Sequence, residues 1–487
     1  MGENTSDKKL IRGISLPGAV SLNMIDMIGV GPFITIPLII SAMGGPQAMI
    51  GWVLGAFLAM CDGLVWAELG AAMPEAGGSY QYLKEIYGKK KFGKLAPFLF
   101  IFQLSFSAPL SIASGCVGLA MYAAYIFPSL NTTFFNFDIN IPIPILGLME
   151  ANLSLSNGTF AAIGICLLAV LLLYRRVNII NKIAQYLWVG VILTVGWIIF
   201  SGVAHFDSSL AFNFPPGAFN LTSGFFLGLG SAMLISVYDY WGYYNVCFIG
   251  GEIERPEKNI PKAIIISILL VGVMYIIMNT SILGVIPWQE ISETSNSDAH
   301  KFIVSVFMQK IYGSWAGYLV TVLIMWTAFS SVFSLLLGYS RVPYAASLKG
   351  DYFKAFSLVH PKNNFPSFSL LVMGVVACAF CFLKLKDIIA ALVVIRIIIQ
   401  FLAQTVGVII YRIQRKDVVR PFKMWLYPLP AVIAFIGFIY VLISRQNFLK
   451  EVRYAIVLII IGTILFIWRT YLKKESPTIQ NNQGLKN

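Results

Sequence analysis

Gly29-Val30-Gly31-Pro32-Phe33 interrupts an apolar run that extends from Pro17 to Met43. The run is long enough to span a bilayer. Two glycines and a proline within four residues do not support continuous helix. Apolar flanks, Leu22 to Ile28 and Ile34 to Ile40, place the break at membrane depth. Irregular backbone is tolerated there only where it is buried in protein or lines a cavity. Interrupted helices at the midplane bind substrate in many secondary transporters. A kinked helix without a ligand is the alternative reading of this stretch taken alone.

Composition sets the class. The chain has 487 residues, of which 58% are hydrophobic and 12% charged, and its mean hydropathy is +0.78. That charge content is about half that of a soluble domain, so an integral membrane protein is expected. The net charge of +13 does not indicate nucleic acid, because Lys and Arg cluster in short loops on alternate sides of the apolar spans. Twelve such spans run roughly over residues 17–43, 47–73, 96–127, 158–174, 183–204, 223–250, 262–287, 313–347, 366–384, 387–411, 425–444 and 452–471. The termini and the loops on their side carry 27 Lys and Arg residues, the opposite side carries 7, and Arg396 lies inside a span. Both termini are therefore expected in the cytoplasm, with residues 1–16 and 472–487 as polar ends. No removable signal peptide is read at the N-terminus. The polar excursion from Phe134 to Gly158 lies on the outer side, where Asn131, Asn152 and Asn157 begin acceptor sequons for a host that glycosylates.

Span six carries a second interruption, Tyr238-Asp239-Tyr240-Trp241-Gly242-Tyr243-Tyr244-Asn245. Five spans separate the two breaks, and five is odd, so the second set of five spans is inverted relative to the first. Interrupted spans in corresponding positions of inverted halves point to a transport site. The expected core is residues 17–411, with repeats over about 17–204 and 223–411 and two further spans in residues 412–471.

The chemistry follows from the breaks. The free amides of the first break, at a helix start near Pro32, suit a carboxylate. Free carbonyls near Ile28 and Gly29 suit an ammonium. An α-amino acid presents both groups on one carbon. In the second break Tyr238, Trp241, Tyr243 and their aromatic neighbours either line a site or anchor at the lipid interface. Asp26, Asp62, Glu68, Asp239 and Arg396 are charges within spans, each costly unless paired or facing water. Glu68 lies toward the cytoplasmic end of its span. Arg396 needs a counter-ion, which Asp26, Asp62 or Asp239 could supply, either as a structural pair or in substrate binding or coupling. The six cysteines fall in apolar segments, and Cys378-x-x-Cys381 has no polar neighbours to suggest a metal or redox site. His205, His300 and His360 form no metal set, and no phosphate-binding Walker motif is present. No cofactor is expected, and neither a metalloenzyme nor a nucleophilic enzyme is indicated.

Ala67-Glu68-Leu69-Gly70 with Pro74-Glu75-Ala76-Gly77-Gly78-Ser79-Tyr80-Gln81-Tyr82-Leu83, the G-x-G-x-F break, Gly251-Glu252-Ile253-Glu254-Arg255-Pro256 with Asn259-Ile260-Pro261-Lys262-Ala263-Ile264, and Ser340-Arg341-Val342-Pro343-Tyr344-Ala345-Ala346 before Pro366 resemble the amino acid–polyamine–organocation superfamily of permeases. The resemblance implies an all-α polytopic protein with twelve transmembrane helices in a LeuT-like five-plus-five inverted repeat. It implies substrate carboxylate binding at Val30 and Gly31, amino-group binding by carbonyls of span six, and an aromatic gate at Tyr238. Two departures stand out. Pro32 occupies a position that is Ile in many members, a form shared with plant polyamine-transporter relatives. A span-five Lys found in several proton-coupled or exchanging members is missing near Leu187 or Trp188, and Asp26 or Asp239 are its candidate substitutes. Phe127 to Asn157 contains no cysteine, so no disulfide-linked partner subunit is expected. The reading is an amino acid permease of the cell membrane, with proton-coupled uptake. A polyamine or cationic amino acid permease is the alternative, and a non-transporting sensor with the same fold is a further one.

Overall fold

The computed structural model describes residues 10–88, 93–143, 147–292, 298–383, 394, 396–445 and 448–475. Residues 1–9, the 387–393 portion of the tenth expected span and the tail 476–487 lie outside the described residues.

The protein is mostly helical. Among the described residues, seven helices are long and apolar enough to cross a membrane: Leu16–Ile34, Pro46–Ala72, Leu95–Ala123, Val177–Ala204, Pro256–Leu283, Ser314–Leu348 and Ile397–Gln414. Shorter apolar helices cover Asn157–Leu173, Ser367–Phe380, Leu429–Ile443 and Ala455–Trp468. The sixth expected span is the helix Ser223–Tyr240 followed by a break and the short turn of helix Asn245–Phe248. With so few charges along them, the helices are apolar on every side, and what distinguishes buried from outward faces is residue size and hydroxyl content. Small and hydroxylated residues such as Ser236, Ser267, Thr327 and Ser334 are fully buried, while Leu, Val and Phe residues such as Leu193, Phe200 and Val273 are exposed. That inside-out arrangement fits a lipid solvent, in which close backbone approach and interhelical hydrogen bonds hold helices together.

The all-helical expectation requires one correction. Strand β1, Thr133–Ile143, pairs antiparallel with β2, Gly147–Ser156, in the segment expected to be a polar excursion. Its alternation is the cause. Phe135, Phe137, Ile139 and Ile141 alternate with Asn136, Asp138 and Asn140, and the apolar set pairs with Leu155, Leu153, Ala151 and Met149. A period of two is the strand period. The hairpin is fastened to the chain after Ser367–Phe380 by Ser154 N–H donating to Phe382 O at 2.7 Å. Its second strand runs directly into the helix Asn157–Leu173, which Ser156 caps by accepting from the Thr159 amide at 3.1 Å.

At the other end of the molecule the quoted sequence motifs meet. The amides of Gly13 and Ile14 both donate to Glu252 O at 3.0 Å, and the Glu254 amide donates to Ile14 O at 2.9 Å. The Glu252 carboxylate pairs with Arg341 at 2.7 Å, both side chains being buried. Arg341 also donates to Ser340 Oγ at 2.8 Å. Gly77 N–H donates to Phe248 O at 3.0 Å, and Lys349 pairs with Glu75 at 2.8 Å. Glu68, toward the cytoplasmic end of its expected span, is buried and held by both Arg412 Nε (2.6 Å) and Nη2 (2.5 Å) and by the Met424 amide (2.7 Å). A buried ion pair broken at one partner leaves an uncompensated charge and costs about 3–5 kcal/mol. Glu252→Ala should therefore lower the melting temperature of the detergent-solubilised protein sharply, whereas replacing Glu252 and Arg341 together by methionine should recover most of the loss.

Candidate functional site

The first break forms because helix Leu16–Met27 runs out of amide donors. Pro32 lacks the N–H that would close on Ile28 O. Phe33 N–H turns instead to Val30 O at 3.1 Å, which leaves Gly29 O without its helical donor. Among the described residues, the carbonyls of Ile28 and Gly29 accept no hydrogen bond, and the amides of Val30 and Gly31 donate none. Helix resumes over Gly31–Ile34, bends at Thr35 and continues over Ile36–Met43. In the second break, helix Ser223–Tyr240 ends at Trp241, whose ψ of 140° is extended, and Gly242 follows at φ +128°. The carbonyls of Tyr240 and Trp241 accept no hydrogen bond from the described residues.

The two breaks lie against each other. A Cβ at Gly242 would sit 2.8 Å from Met27 N and 2.9 Å from the carbonyl carbon of Asp26. A Cβ at Gly31 would collide with Asp239 Oδ1. Glycine at both positions allows that close approach. Asn23 joins the segments from below: its Nδ2 donates to Tyr243 O at 2.6 Å and its Oδ1 accepts from Val246 N–H at 3.0 Å. Tyr275 OH donates to Met27 O at 2.8 Å, and Ser331 Oγ to Asp26 O at 3.2 Å. These hydroxyls satisfy carbonyls that the interruption exposes.

Apart from Glu68, the charges expected within spans separate into different surroundings. Asp62 accepts from Tyr243 OH at 2.6 Å, so it steadies the second break from the neighbouring helix. Asp239 accepts from Thr35 Oγ1 at 2.5 Å, and its other oxygen, beside Gly31, has no partner among the described residues. Asp26 is buried with Oδ1 likewise unpartnered. Arg396, 3% exposed, has no carboxylate oxygen within 4.0 Å among the described residues. None of the three candidate aspartates is its ion-pair partner, because none of them brings an oxygen within 4.0 Å of the guanidinium. Arg396 is held by Ser107 O at 3.1 Å and Ser111 Oγ at 2.7 Å, and lies over the rings of Trp241 (5.7 Å) and Tyr339 (5.1 Å). Tyr238 OH meets Ser114 Oγ at 3.3 Å, and its ring packs edge-on against Trp241 at 5.8 Å. Trp188, one of the two positions near which the span-five Lys is missing, directs Nε1 to Met24 Sδ at 3.2 Å.

The structure thus brings Ile28, Gly29, Val30, Gly31, Pro32, Tyr238, Asp239, Trp241 and Tyr243 into one buried region with Asp26, and sets Asp62 behind Tyr243. Asn23, Thr35, Ser111, Tyr275, Ser331 and Tyr339 belong to the same region, and sequence reasoning does not single them out. Their only signal is a hydroxyl, amide or phenol group within an apolar span. A cavity of about 300 Å³ lies elsewhere, beneath the hairpin between Val117, Leu130, Ser154, Thr159, Cys381 and Leu383.

The fold and this region define an integral membrane protein built on two facing interrupted helices. A profile of the amino acid permease family matches residues 14–466. The chain belongs to that family, whose members are permeases rather than enzymes, within the amino acid–polyamine–organocation superfamily. It is 26% identical to a serine/threonine exchanger, SteT, of Bacillus subtilis (strain 168), over 90% of this chain and 92% of that protein. It is 24% identical to the branched-chain amino acid permease BcaP of the same organism, over 90% and 88% of the two chains. Its identity to cationic amino acid transporter 4 of Mus musculus is 22%, over 85% of this chain and 62% of that one.

Contact between the breaks leaves no room for a methyl group at Gly242, and its φ is costly for any other residue, by about 1–3 kcal/mol. Gly242→Ala should abolish substrate-induced thermal stabilisation and lower the melting temperature, while Gly350→Ala, also at positive φ but in open space, should leave substrate stabilisation intact.

Proposed function

We propose that this protein is a secondary active permease that moves an amino acid across the membrane by alternating access, with proton-coupled uptake. The observation that carries the reading is the pair of unused amides, Val30 and Gly31, beside the unused carbonyls of Ile28, Gly29, Tyr240 and Trp241. Donors without acceptors next to acceptors without donors, at membrane depth, match a zwitterion: the carboxylate on the amides, the ammonium on the carbonyls. The relatives, an exchanger and permeases of amino acids, support the same substrate class. Tyr238, whose ring packs edge-on against Trp241, is the gate. The break residues are buried, so entry requires one half of the helical core to move against the other. We assign those halves to residues 17–204 and 223–411 within a twelve-span, five-plus-five inverted repeat, with helices 11 and 12 in residues 412–471, both termini cytoplasmic and the cell membrane as the site of action.

Without a span-five Lys, the coupling proton falls to Asp26 or Asp239, each with a buried carboxylate oxygen that no described residue holds. The same two oxygens favour a second reading, a polyamine or cationic amino acid permease. Purified protein in proteoliposomes distinguishes these. Stabilisation by amino acids and uptake that rises with an inward proton gradient supports the main reading. Stabilisation by polyamines, arginine or lysine alone replaces it with the second, and binding without flux under any gradient or counter-substrate replaces it with a sensor. Asp26→Asn should flatten the pH dependence of binding; unchanged affinity and pH profile would remove Asp26 from the coupling role. Tyr238→Ala should cut uptake at least tenfold.

A further inference from the structure

Arg396 is a buried cation with an unused donor. A guanidinium has five N–H donors and stays charged at any pH a protein survives. Here Nη2 is engaged by Ser107 O and Ser111 Oγ, while Nε is buried with no partner among the described residues. Asp26 interacts with it electrostatically but beyond ion-pair distance. Two other arginines provide the contrast: Arg341 has Glu252 at 2.7 Å and Arg412 has Glu68 at 2.5 Å. Among the described residues, Arg396 is the one of these three without a carboxylate partner, and it lies beside the breaks.

Its setting is built. The Trp241 ring on one side belongs to the second break, and Tyr339 comes from Ser314–Leu348. Arg396 immediately precedes a π-helical stretch, Ile397–Leu402. Such wide turns shift the side chains around them and recur at functional sites. Phe401 within it stacks on Trp241 at 5.0 Å and meets Tyr244 at 5.7 Å, so the π segment packs directly on the second break. No carboxylate oxygen of the described residues lies within 4.0 Å of it. A carboxylic acid can shed its charge by holding a proton, whereas a guanidinium in a low-dielectric site needs an anion.

We infer that Arg396 receives a second anionic group of the substrate, so that the transported amino acid carries an acidic side chain, as aspartate and glutamate do. The inference rests on the amino acid reading of the two breaks. The α-carboxylate and α-ammonium lie on the backbone groups of the breaks, and the side chain extends past Trp241 to the unused edge of the guanidinium. A carboxylate there gains charge-assisted hydrogen bonds from a planar fork that lysine cannot reproduce.

The test is a panel on the intact protein in detergent. Thermal shifts are measured with L-aspartate, L-glutamate, L-serine, L-leucine, L-lysine and putrescine at matched salt, and hits are followed by uptake into proteoliposomes. The wild type should be stabilised most by the dicarboxylic amino acids, and these should be taken up. Arg396→Gln should weaken their apparent affinity at least tenfold, and Arg396→Lys should restore only part of it. Stabilisation and uptake of neutral or cationic amino acids without the acidic ones would overturn the inference and leave the permease reading standing. Unchanged acidic affinity in Arg396→Gln would overturn it likewise. Stabilisation by none of the amino acids would overturn the permease reading itself, and the inference with it. The wild-type panel supports or overturns the inference even where a variant fails to fold.

Discussion

Every peptide group in a bilayer needs a hydrogen-bond partner, and this protein breaks two helices in its buried interior. An unpaired N–H or C=O in hydrocarbon costs several kcal/mol, so a break survives only when other groups surround it. Much of the core serves that end. Asn23 fixes two backbone groups of the second break, Tyr275 and Ser331 fix carbonyls of the first, and Gly242 packs on Met27 so closely that lipid cannot enter. What these contacts leave unsatisfied is a small, matched set of amides and carbonyls, and that remainder is the candidate binding surface.

The same constraint explains the distribution of charge. Two of the cations, Arg341 and Arg412, are fixed to buried glutamates, and the Arg341 pair lies where the N-terminal segment meets the loop after the second break. The Arg341 pair ties two of the motifs by which the chain resembles its family to each other. Arg396 sits in the interior near the breaks and is held by neutral oxygens and aromatic faces. A pair that closes the protein can be permanent. A cation that meets a substrate has to be available when the substrate arrives.

Much of this is legible in the chain. The two interruptions, the apolar spans and the motifs follow from glycine, proline and hydrophobic length, because helices in lipid are specified by local composition. The hairpin is legible too, in the alternation of Phe135, Asn136, Phe137, Asp138, Ile139 and Asn140, but the polarity of the segment masks its period. The hydroxyl-bearing partners of the breaks are not legible. Thr35, Ser111, Ser331 and Tyr339 are ordinary residues in apolar helices until packing turns them inward.

Pairing of the charges depends on tertiary structure alone. Glu68 and Arg412 lie 344 positions apart, and Glu252 and Arg341 lie 89 apart; no spacing rule connects them. Three aspartates are equally available to Arg396 in the sequence, and the fold brings none of them within 4.0 Å of it. The sequence by itself determined that this chain crosses a membrane, where its helices break and which family it resembles, for those properties depend on local composition. Only the tertiary structure decided which buried charges are satisfied, because that depends on which side chains the packed helices bring within about 3 Å of one another.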